Sequence, residues 1–124
     1  MDQFNRRRMV FVVDDDEAVR DSMCALLESA GIEVRDYASA IDFLRSTSLH
    51  TDGCLLLDVN MPGMSGIELL ERLRSEGNQM PVIIMTARSD RTLKERVLRS
   101  GALEILDKPV DEGLLMKALD LALT

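Results

Sequence analysis

Short apolar runs alternate with longer amphipathic stretches along this 124-residue chain, and no other feature restricts its fold as strongly. The runs recur at the spacing of successive βα units, which is about 30 residues or a little less. Several are continuous rather than alternating, as is typical of strands that are covered on both faces. The pattern predicts an α/β domain with a parallel sheet and right-handed crossovers. The five runs are Val10–Val13, Ile32–Val34, Leu55–Leu57, Val82–Met85 and Leu103–Leu106.

The stretches between the runs carry apolar residues with the period of helices that lie on a sheet. Gly31, Gly77 and Gly101 each follow such a stretch, at the position where a glycine commonly ends a helix. Packing on the sheet explains these apolar stripes, and no cofactor is needed to account for them. The stripes contain Val19, Met23, Leu26, Leu27 and Ala30; Ile41 and Leu44; Ile67, Leu70, Leu73 and Arg74; Leu93, Val97 and Leu98; and Leu114, Leu115, Ala118, Leu119 and Ala122.

The composition restricts the classes of function that the chain can have. Apolar residues make up 46% of it, which is enough for the core of one compact domain. The net charge of −7 argues against nucleic-acid binding by this domain, because phosphate backbones attract basic surfaces. A short basic segment, Arg6 to Arg8, is the exception. We interpret residues 1–8 as a solvated N-terminal arm that precedes a domain spanning residues 9–124.

The sequence contains no membrane or secretion signal. No apolar stretch approaches the roughly 20 residues that a membrane-spanning helix needs, and the first apolar run is too short for a signal peptide. Cys24 and Cys54 have neither metal-ligand spacing nor the pairing of a disulfide framework. We expect both to be buried thiols of a cytoplasmic protein.

Acidic residues follow the first and third apolar runs, where the corresponding strands end. Asp14 and Asp15 come directly after the first run, and Asp58 closes the third. Ligands of open α/β sheets gather at the carboxyl ends of the strands, so three carboxylates meet there if the two strands are neighbours. Such a cluster repels itself unless a cation or protons relieve it, and oxygen ligands suit Mg²⁺. Helix capping explains only Asp16 and Glu17, which come next in the chain.

Three strand-end residues have a structural and a chemical interpretation. Asp58 taken alone is either a turn former or a nucleophile that forms an acyl phosphate. Thr86, after the fourth run, is a strand residue, a helix cap or a hydroxyl donor to a phosphoryl oxygen. Lys108, after the fifth run, would be held by the carboxylates and could bind a phosphoryl group. The bond from Lys108 to Pro109 is of the type in which cis peptides occur.

Four motifs, each at the end of its own strand, resemble the receiver domain of bacterial two-component response regulators. The resemblance extends from about Met9 to Leu123, and the four motifs in this order are far more specific than any one of them. The residues in these motifs most resemble those of the branch of regulators that carry LuxR-type DNA-binding domains. The motifs are Val12-Val13-Asp14-Asp15; Leu57-Asp58-Val59-Asn60-Met61-Pro62-Gly63-Met64-Ser65-Gly66; Met85-Thr86-Ala87; and Gly101-Ala102 with Lys108-Pro109.

The resemblance implies a flavodoxin-like (βα)5 fold, a doubly wound parallel sheet with strand order 2-1-3-4-5. It implies that a sensor histidine kinase phosphorylates Asp58. The domain would then be a signalling phosphoacceptor that catalyses only its own phosphorylation and dephosphorylation. Mg²⁺ would be bound by Asp15, Asp58 and the backbone carbonyl of Asn60. Asp14 would act on the ion through water.

The same resemblance implies the phosphoryl contacts and the switch. Lys108 would pair with Asp58 and then with the phosphoryl group, and Thr86 would turn inward to hydrogen-bond that group. The motion would reach the face built by the fourth helix, the fifth strand and the fifth helix, where a homodimer could form. The chain would be either a stand-alone receiver that acts through protein contacts or the front part of a transcription factor whose C-terminal DNA-binding domain lies outside it. The domain itself would bind neither nucleic acid nor membrane.

Three positions depart from the usual receiver pattern. Ile105 stands three residues before the lysine, where members commonly carry Tyr or Phe, so the ring that normally moves with Thr86 is missing. Val110 replaces the Phe that commonly follows the Lys-Pro pair. Arg88 occupies the position two residues after the threonine, which together with Asn60 helps to set the lifetime of the acyl phosphate.

Two other functions are compatible with parts of the sequence. A phosphatase of the haloacid dehalogenase type also uses a strand-end aspartate and Mg²⁺. It needs a second aspartate two residues later, however, and Asn60 at that position cannot protonate a leaving group. A phosphorylation-independent interaction domain would keep the fold without the chemistry. The residues Ile105 and Val110 favour that alternative, whereas the intact carboxylates, Thr86 and Lys108 argue against it.

Overall fold

Five strands and five helices alternate along the part of the chain that the computed structural model describes, residues 9–46 and 52–123. The predicted N-terminal arm, residues 1–8, lies outside these ranges. Within them, no helix combines the length and the apolarity needed to cross a bilayer. The strands are Met9–Val13 (β1), Glu33–Tyr37 (β2), Cys54–Asp58 (β3), Val82–Thr86 (β4) and Glu104–Asp107 (β5). The helices are Glu17–Ser29 (α1), Ala40–Ser46 (α2), Gly66–Ser75 (α3), Arg91–Arg99 (α4) and Glu112–Ala122 (α5).

The strands form one parallel sheet in the order β2-β1-β3-β4-β5, which confirms the predicted flavodoxin-like fold. The three central strands, β1, β3 and β4, are buried along their whole length. The chain passes from β1 to β2 on one side and then to β3 on the other. At such a reversal the loops that follow the two adjacent strands diverge and leave a crevice. The carboxyl ends of β1 and β3 therefore define the place where a ligand would bind.

Alternate residues of the central strands point into two separate cores, because successive side chains of a strand lie on opposite faces. Phe11 and Leu57 belong to the core that contains residues of α2, α3 and α4. Val12 and Leu56 belong to the core that contains residues of α1 and α5. The sheet is therefore covered on both faces, as the continuous apolar runs predict.

The two edge strands lie later in the chain than their apolar runs. The sequence predicts the second strand at Ile32–Val34, whereas β2 spans Glu33–Tyr37. It predicts the fifth at Leu103–Leu106, whereas β5 spans Glu104–Asp107. Each edge strand pairs with one neighbour only, and charged residues are common there. Polar residues therefore continue these strands after the apolar run has ended, and the run alone does not mark their limits.

Three leucines that the sequence assigns to the core are exposed instead. Leu98 of α4, Leu103 before β5 and Leu114 of α5 have 48%, 42% and 55% of their surface in solvent. The neighbouring residues Val97 and Leu115 are fully buried. The apolar stripe of these elements is thus wider than the line along which they contact the sheet.

The two cysteines differ in burial. Cys54 is buried in β3 as predicted, but Cys24 of α1 is only half-buried, which corrects the prediction for that residue. Burial and the carboxylate of Asp36 raise the pKa of the Cys24 thiol to about 11. The thiol is therefore protonated and a poor nucleophile near neutral pH.

Gly66 lets the first turn of α3 stack directly on the end of β3. Its N–H donates to the carbonyl of Val59 at 2.9 Å, and a Cβ atom on it would clash with the carbonyl of Asp58. Ser65 and Glu68 form a reciprocal capping box over the same turn. The start of α3 therefore positions the backbone at the carboxyl end of β3.

We predict that Gly66→Ala destabilises the fold by about 2–3 kcal/mol, because the added methyl group has to displace the backbone of Asp58. Gly113→Ala is the matched control, since its Cβ would meet only the Asp111 side chain at 3.2 Å. Urea unfolding followed by circular dichroism measures both changes. Equal stability of the two variants would show that this loop accommodates a side chain.

Candidate functional site

Asp14, Asp15 and Asp58 meet at the carboxyl ends of β1 and β3, which are adjacent in the sheet. One carboxylate oxygen from each residue lies within 4.8 Å of those from the other two. Asp14 is fully buried and Asp58 is 4% exposed, whereas Asp15 is open to solvent. The predicted acidic cluster at this edge of the sheet is confirmed.

Lys108 joins two of the three carboxylates. Its Nζ lies 2.8 Å from Asp14 Oδ2 and 3.0 Å from Asp58 Oδ1. The lysine follows β5, so its side chain reaches past the end of β4, and its backbone N–H donates to the Thr86 carbonyl at 2.8 Å. The peptide bond between Lys108 and Pro109 is cis. The pairing with Asp58 agrees with the sequence prediction, and the equally close pairing with Asp14 is a finding of the structure.

The charges in this cluster are unequal in number. Burial raises the pKa of Asp58, and the hydrogen bond from Lys108 opposes that shift without cancelling it. Burial also disfavours the charge on Lys108, but the hydrogen bonds with Asp14 and Asp58 outweigh burial and raise the pKa of the amine. The lysine is therefore protonated near neutral pH, and one cation faces three carboxyl groups. The excess of negative charge and the oxygen ligands suit a hard metal cation.

Asp14 has a hydrogen-bond partner at every polar atom. Its N–H donates to the Tyr37 carbonyl at 3.1 Å, and its carbonyl accepts from the Arg20 guanidinium at 2.9 Å. Its carboxylate accepts from the N–H of Asp16 at 2.9 Å and from Lys108. The sequence prediction missed Arg20. The available signal was a basic residue one helical turn after the acid that caps α1.

Thr86 is fully buried at the end of β4, and the loop that follows engages its hydroxyl. Oγ1 donates to the carbonyl of Arg88 at 3.0 Å and accepts from the N–H of the same residue at 3.3 Å. The helix-cap interpretation of Thr86 is wrong, because Asp90 caps α4 and accepts from the N–H of Leu93. Thr86 is therefore a buried strand residue whose hydroxyl is bound by its own loop.

The other predicted residues lie in the loops after β3 and β4 and in β5. Asn60 is exposed in the loop between β3 and α3, two residues after Asp58. Arg88 is exposed in the loop between β4 and α4. Ile105 is half-buried in β5, pairs in register with Ile84, and packs against the core shared by α2, α3 and α4. The roles assigned to these three residues stay predictions.

Comparison with known proteins identifies the family. Residues 10–120 match the family described as Response regulator receiver domain. Transcriptional regulatory protein FixJ of Azorhizobium caulinodans is 43% identical over 110 residues, which are 89% of this chain and 52% of that protein. The structure of response regulator StyR is 43% identical with a TM-score of 0.86, covering 93% of this chain and 58% of that one. The chemotaxis protein CheY4 of Vibrio cholerae is 28% identical with a TM-score of 0.86, covering 94% and 99%.

The chain therefore belongs to the response regulator receiver domain family and is a signalling domain. The identification made from the four strand-end motifs is confirmed. The chain spans about half the length of the curated relatives it matches, several of which are named as transcriptional regulatory proteins.

We predict that Asp58→Asn raises the free energy of unfolding at neutral pH by roughly 1 kcal/mol. The folded-state pKa of Asp58 is raised, so folding favours the protonated acid, and that stability is lost as the pH rises through the folded pKa. The asparagine amide carries no charge at any pH. The free energy of unfolding of Asp58→Asn should therefore exceed that of the wild type at pH values above the folded pKa of Asp58, and the difference should disappear at more acidic pH.

Urea unfolding at a series of pH values measures this difference. Asp21→Asn, which changes an exposed carboxylate on α1 beyond its first turn, is the control and should show little change at any pH. A stability difference between Asp58→Asn and the wild type that does not depend on pH would contradict the prediction.

Proposed function

We propose that the chain is a phospho-accepting receiver in which Asp58 takes a phosphoryl group from a sensor histidine kinase. The proposal depends on one observation above all. Asp58 is a nearly buried carboxylate at the end of β3, within a cluster of three carboxylates and 3.0 Å from Lys108. Membership of the receiver family supports the same role.

In the proposed reaction, the P–N bond of the kinase phosphohistidine breaks while an oxygen of Asp58 bonds to phosphorus, which gives an acyl phosphate. Lys108 remains protonated and donates to the phosphoryl oxygens, on which charge spreads in the transition state. Water later attacks the phosphorus, the bond between phosphorus and the Asp58 oxygen breaks, and inorganic phosphate leaves as the carboxylate of Asp58 is restored. The domain would act on no other substrate.

The acidic cluster would hold Mg²⁺ through Asp15, Asp58 and the backbone carbonyl of Asn60. When bound, the ion would neutralise charge on the phosphoryl oxygens. Three carboxylates in one small cluster, in which Lys108 forms ion pairs with two of them, fit a hard divalent ion. The carboxylate of Asp14 already accepts two hydrogen bonds, which supports a contact with the ion through water.

Phosphorylation would shift the face formed by α4, β5 and α5. Thr86 would exchange its contact with Arg88 for one with the phosphoryl group, and the loop after β4 would move with it. Ile105 has no aromatic ring to follow that motion, so the loop and α4 would transmit it. A docking or homodimer surface is proposed there, and exposed leucines lie on or beside each of the three elements. They are Leu98, Leu103 and Leu114.

The proposed partners follow from the family. The phosphoryl donor is a sensor histidine kinase. The chain spans about half the length of its curated relatives. We propose that the full-length protein also carries a LuxR-type DNA-binding domain. The acidic receiver itself would bind neither nucleic acid nor membrane. The protein would act in the cytoplasm.

We predict that the wild-type protein accepts one phosphoryl group from acetyl phosphate in the presence of Mg²⁺ and that Asp58→Ala accepts none. Asp21→Asn, which changes an exposed carboxylate on α1, is the control and should be phosphorylated normally. Intact-mass spectrometry measures the product, and chelation of Mg²⁺ should prevent it. If the wild type and Asp58→Ala both stay unmodified, the phosphorylation-independent interaction domain is the better explanation.

We predict that Arg88→Ala hydrolyses its acyl phosphate about threefold to tenfold faster than the wild type, because its exposed guanidinium would contact or shield the phosphoryl group. Arg91→Ala is the matched control, since the Arg91 side chain is 94% exposed and pairs with Glu95. Decay of the phosphoprotein after acetyl phosphate is removed measures both rates. Identical decay in Arg88→Ala and the wild type would exclude Arg88 as a determinant of phosphoryl lifetime.

A further inference from the structure

We infer that Ser89 and Asp107 are positioning residues that hold the hydroxyl of Thr86 in its loop contact until Asp58 carries a phosphoryl group. The inference rests on the proposed function and explains why Thr86 rests where it does. It concerns the loop between β4 and α4, residues 87–90, and the last residue of β5.

The proton of the Thr86 hydroxyl is already donated. It is donated to the carbonyl of Arg88 at 3.0 Å, while the same oxygen accepts the Arg88 N–H at 3.3 Å. A hydroxyl has one proton, so it cannot donate to this carbonyl and to a phosphoryl oxygen at the same time. Contact with a phosphoryl group on Asp58 therefore requires Thr86 to release both backbone groups of Arg88.

A third hydrogen bond holds the same loop against β5. Ser89 Oγ donates to Asp107 Oδ1. Asp107 is the register partner of Thr86 across β4 and β5, and the next residue, Lys108, donates its N–H to the Thr86 carbonyl at 2.8 Å. The loop therefore leaves the sheet at Thr86 and is bound again at the same level of the sheet three residues later.

The two hydrogen bonds between Thr86 and Arg88 and the one between Ser89 and Asp107 all oppose the movement that brings Thr86 to Asp58. Once the hydroxyl leaves, the N–H and carbonyl of Arg88 need other partners, and the loop has to rearrange to provide them. Ser89 is the next residue in the loop, so that rearrangement separates it from Asp107. A hydrogen bond to a carboxylate is stronger than one between neutral groups, and its net effect on the equilibrium is about threefold to tenfold.

The identity of residue 105 increases the importance of this contact. Ile105 has no polar atom in its side chain and cannot hydrogen-bond to the loop. Asp107 lies two residues later, on the same face of β5, and its carboxylate makes a polar link to the loop through Ser89. The loop is thus attached to β5 at the end of the strand rather than at residue 105.

A double-mutant cycle on the binding of beryllofluoride with Mg²⁺, a stable mimic of a phosphoryl group, tests the inference. Ser89→Ala should raise the apparent affinity about threefold to tenfold, because the resting loop is released. In the Asp107→Ala background the same substitution should have no further effect, since the acceptor is already absent. Ser89→Thr retains the hydroxyl and should bind beryllofluoride as the wild type does.

Amide resonances provide a readout that a purely structural role would not change. In unliganded Ser89→Ala, the signals of Thr86 and Arg88 should move from their wild-type positions toward those of the beryllofluoride-bound protein. Ser75→Ala is the matched control, because its exposed hydroxyl donates to the Arg72 carbonyl at 2.8 Å, far along the chain. It should leave both the resonances and the affinity unchanged.

Three results would overturn the inference. They are an unchanged or weaker beryllofluoride affinity in Ser89→Ala, an equal effect of that substitution with and without Asp107, and an increase in the affinity for Mg²⁺ alone that accounts for the whole gain. A wild-type protein that binds no beryllofluoride would instead overturn the proposed function, and this inference with it. The wild-type and variant measurements therefore distinguish the two failures.

Discussion

The rest of the site depends on the two hydrogen bonds of the Lys108 ammonium, at 2.8 Å to Asp14 and 3.0 Å to Asp58. The three residues follow or end different strands, and one cation holds two nearly buried carboxylates at a distance where they would otherwise repel each other strongly. The lysine can do this because its own N–H is bound to the carbonyl of Thr86, the last residue of β4. The ends of four strands are thereby connected through the side chain and the backbone N–H of one residue.

The same cluster is a compromise between stability and reactivity. Burial raises the pKa of Asp58, so the folded protein disfavours the carboxylate that the proposed reaction uses as its nucleophile. The two hydrophobic cores on either face of the sheet provide the stability that tolerates this cost. An isolated strand-end acid is an ordinary turn residue, whereas three clustered carboxyl groups that share one lysine form a site suited to a further cation.

Much of the fold and the acidic cluster could be predicted, because both depend on local pattern. Continuous apolar runs identify the buried strands, and the first polar residue after each run, such as Asp14, lies at the carboxyl edge. The edge strands were predicted less well, since β2 continues through charged residues such as Asp36 in a position open to solvent. Leu98 and Leu114 show a related limit: the helical period identifies an apolar stripe but not how much of it the sheet covers.

The sequence by itself determined the alternation of strands and helices, the family, and which residues stand at the strand ends. The tertiary structure alone decided how those residues are connected: Lys108 to Asp14 as well as Asp58, Arg20 to the carbonyl of Asp14, and Ser89 to Asp107. Local pattern places a residue on an element and a face. Hydrogen-bond partners depend on differences of a few tenths of an ångström in the spacing between elements far apart in the chain. The packing of the whole sheet sets that spacing.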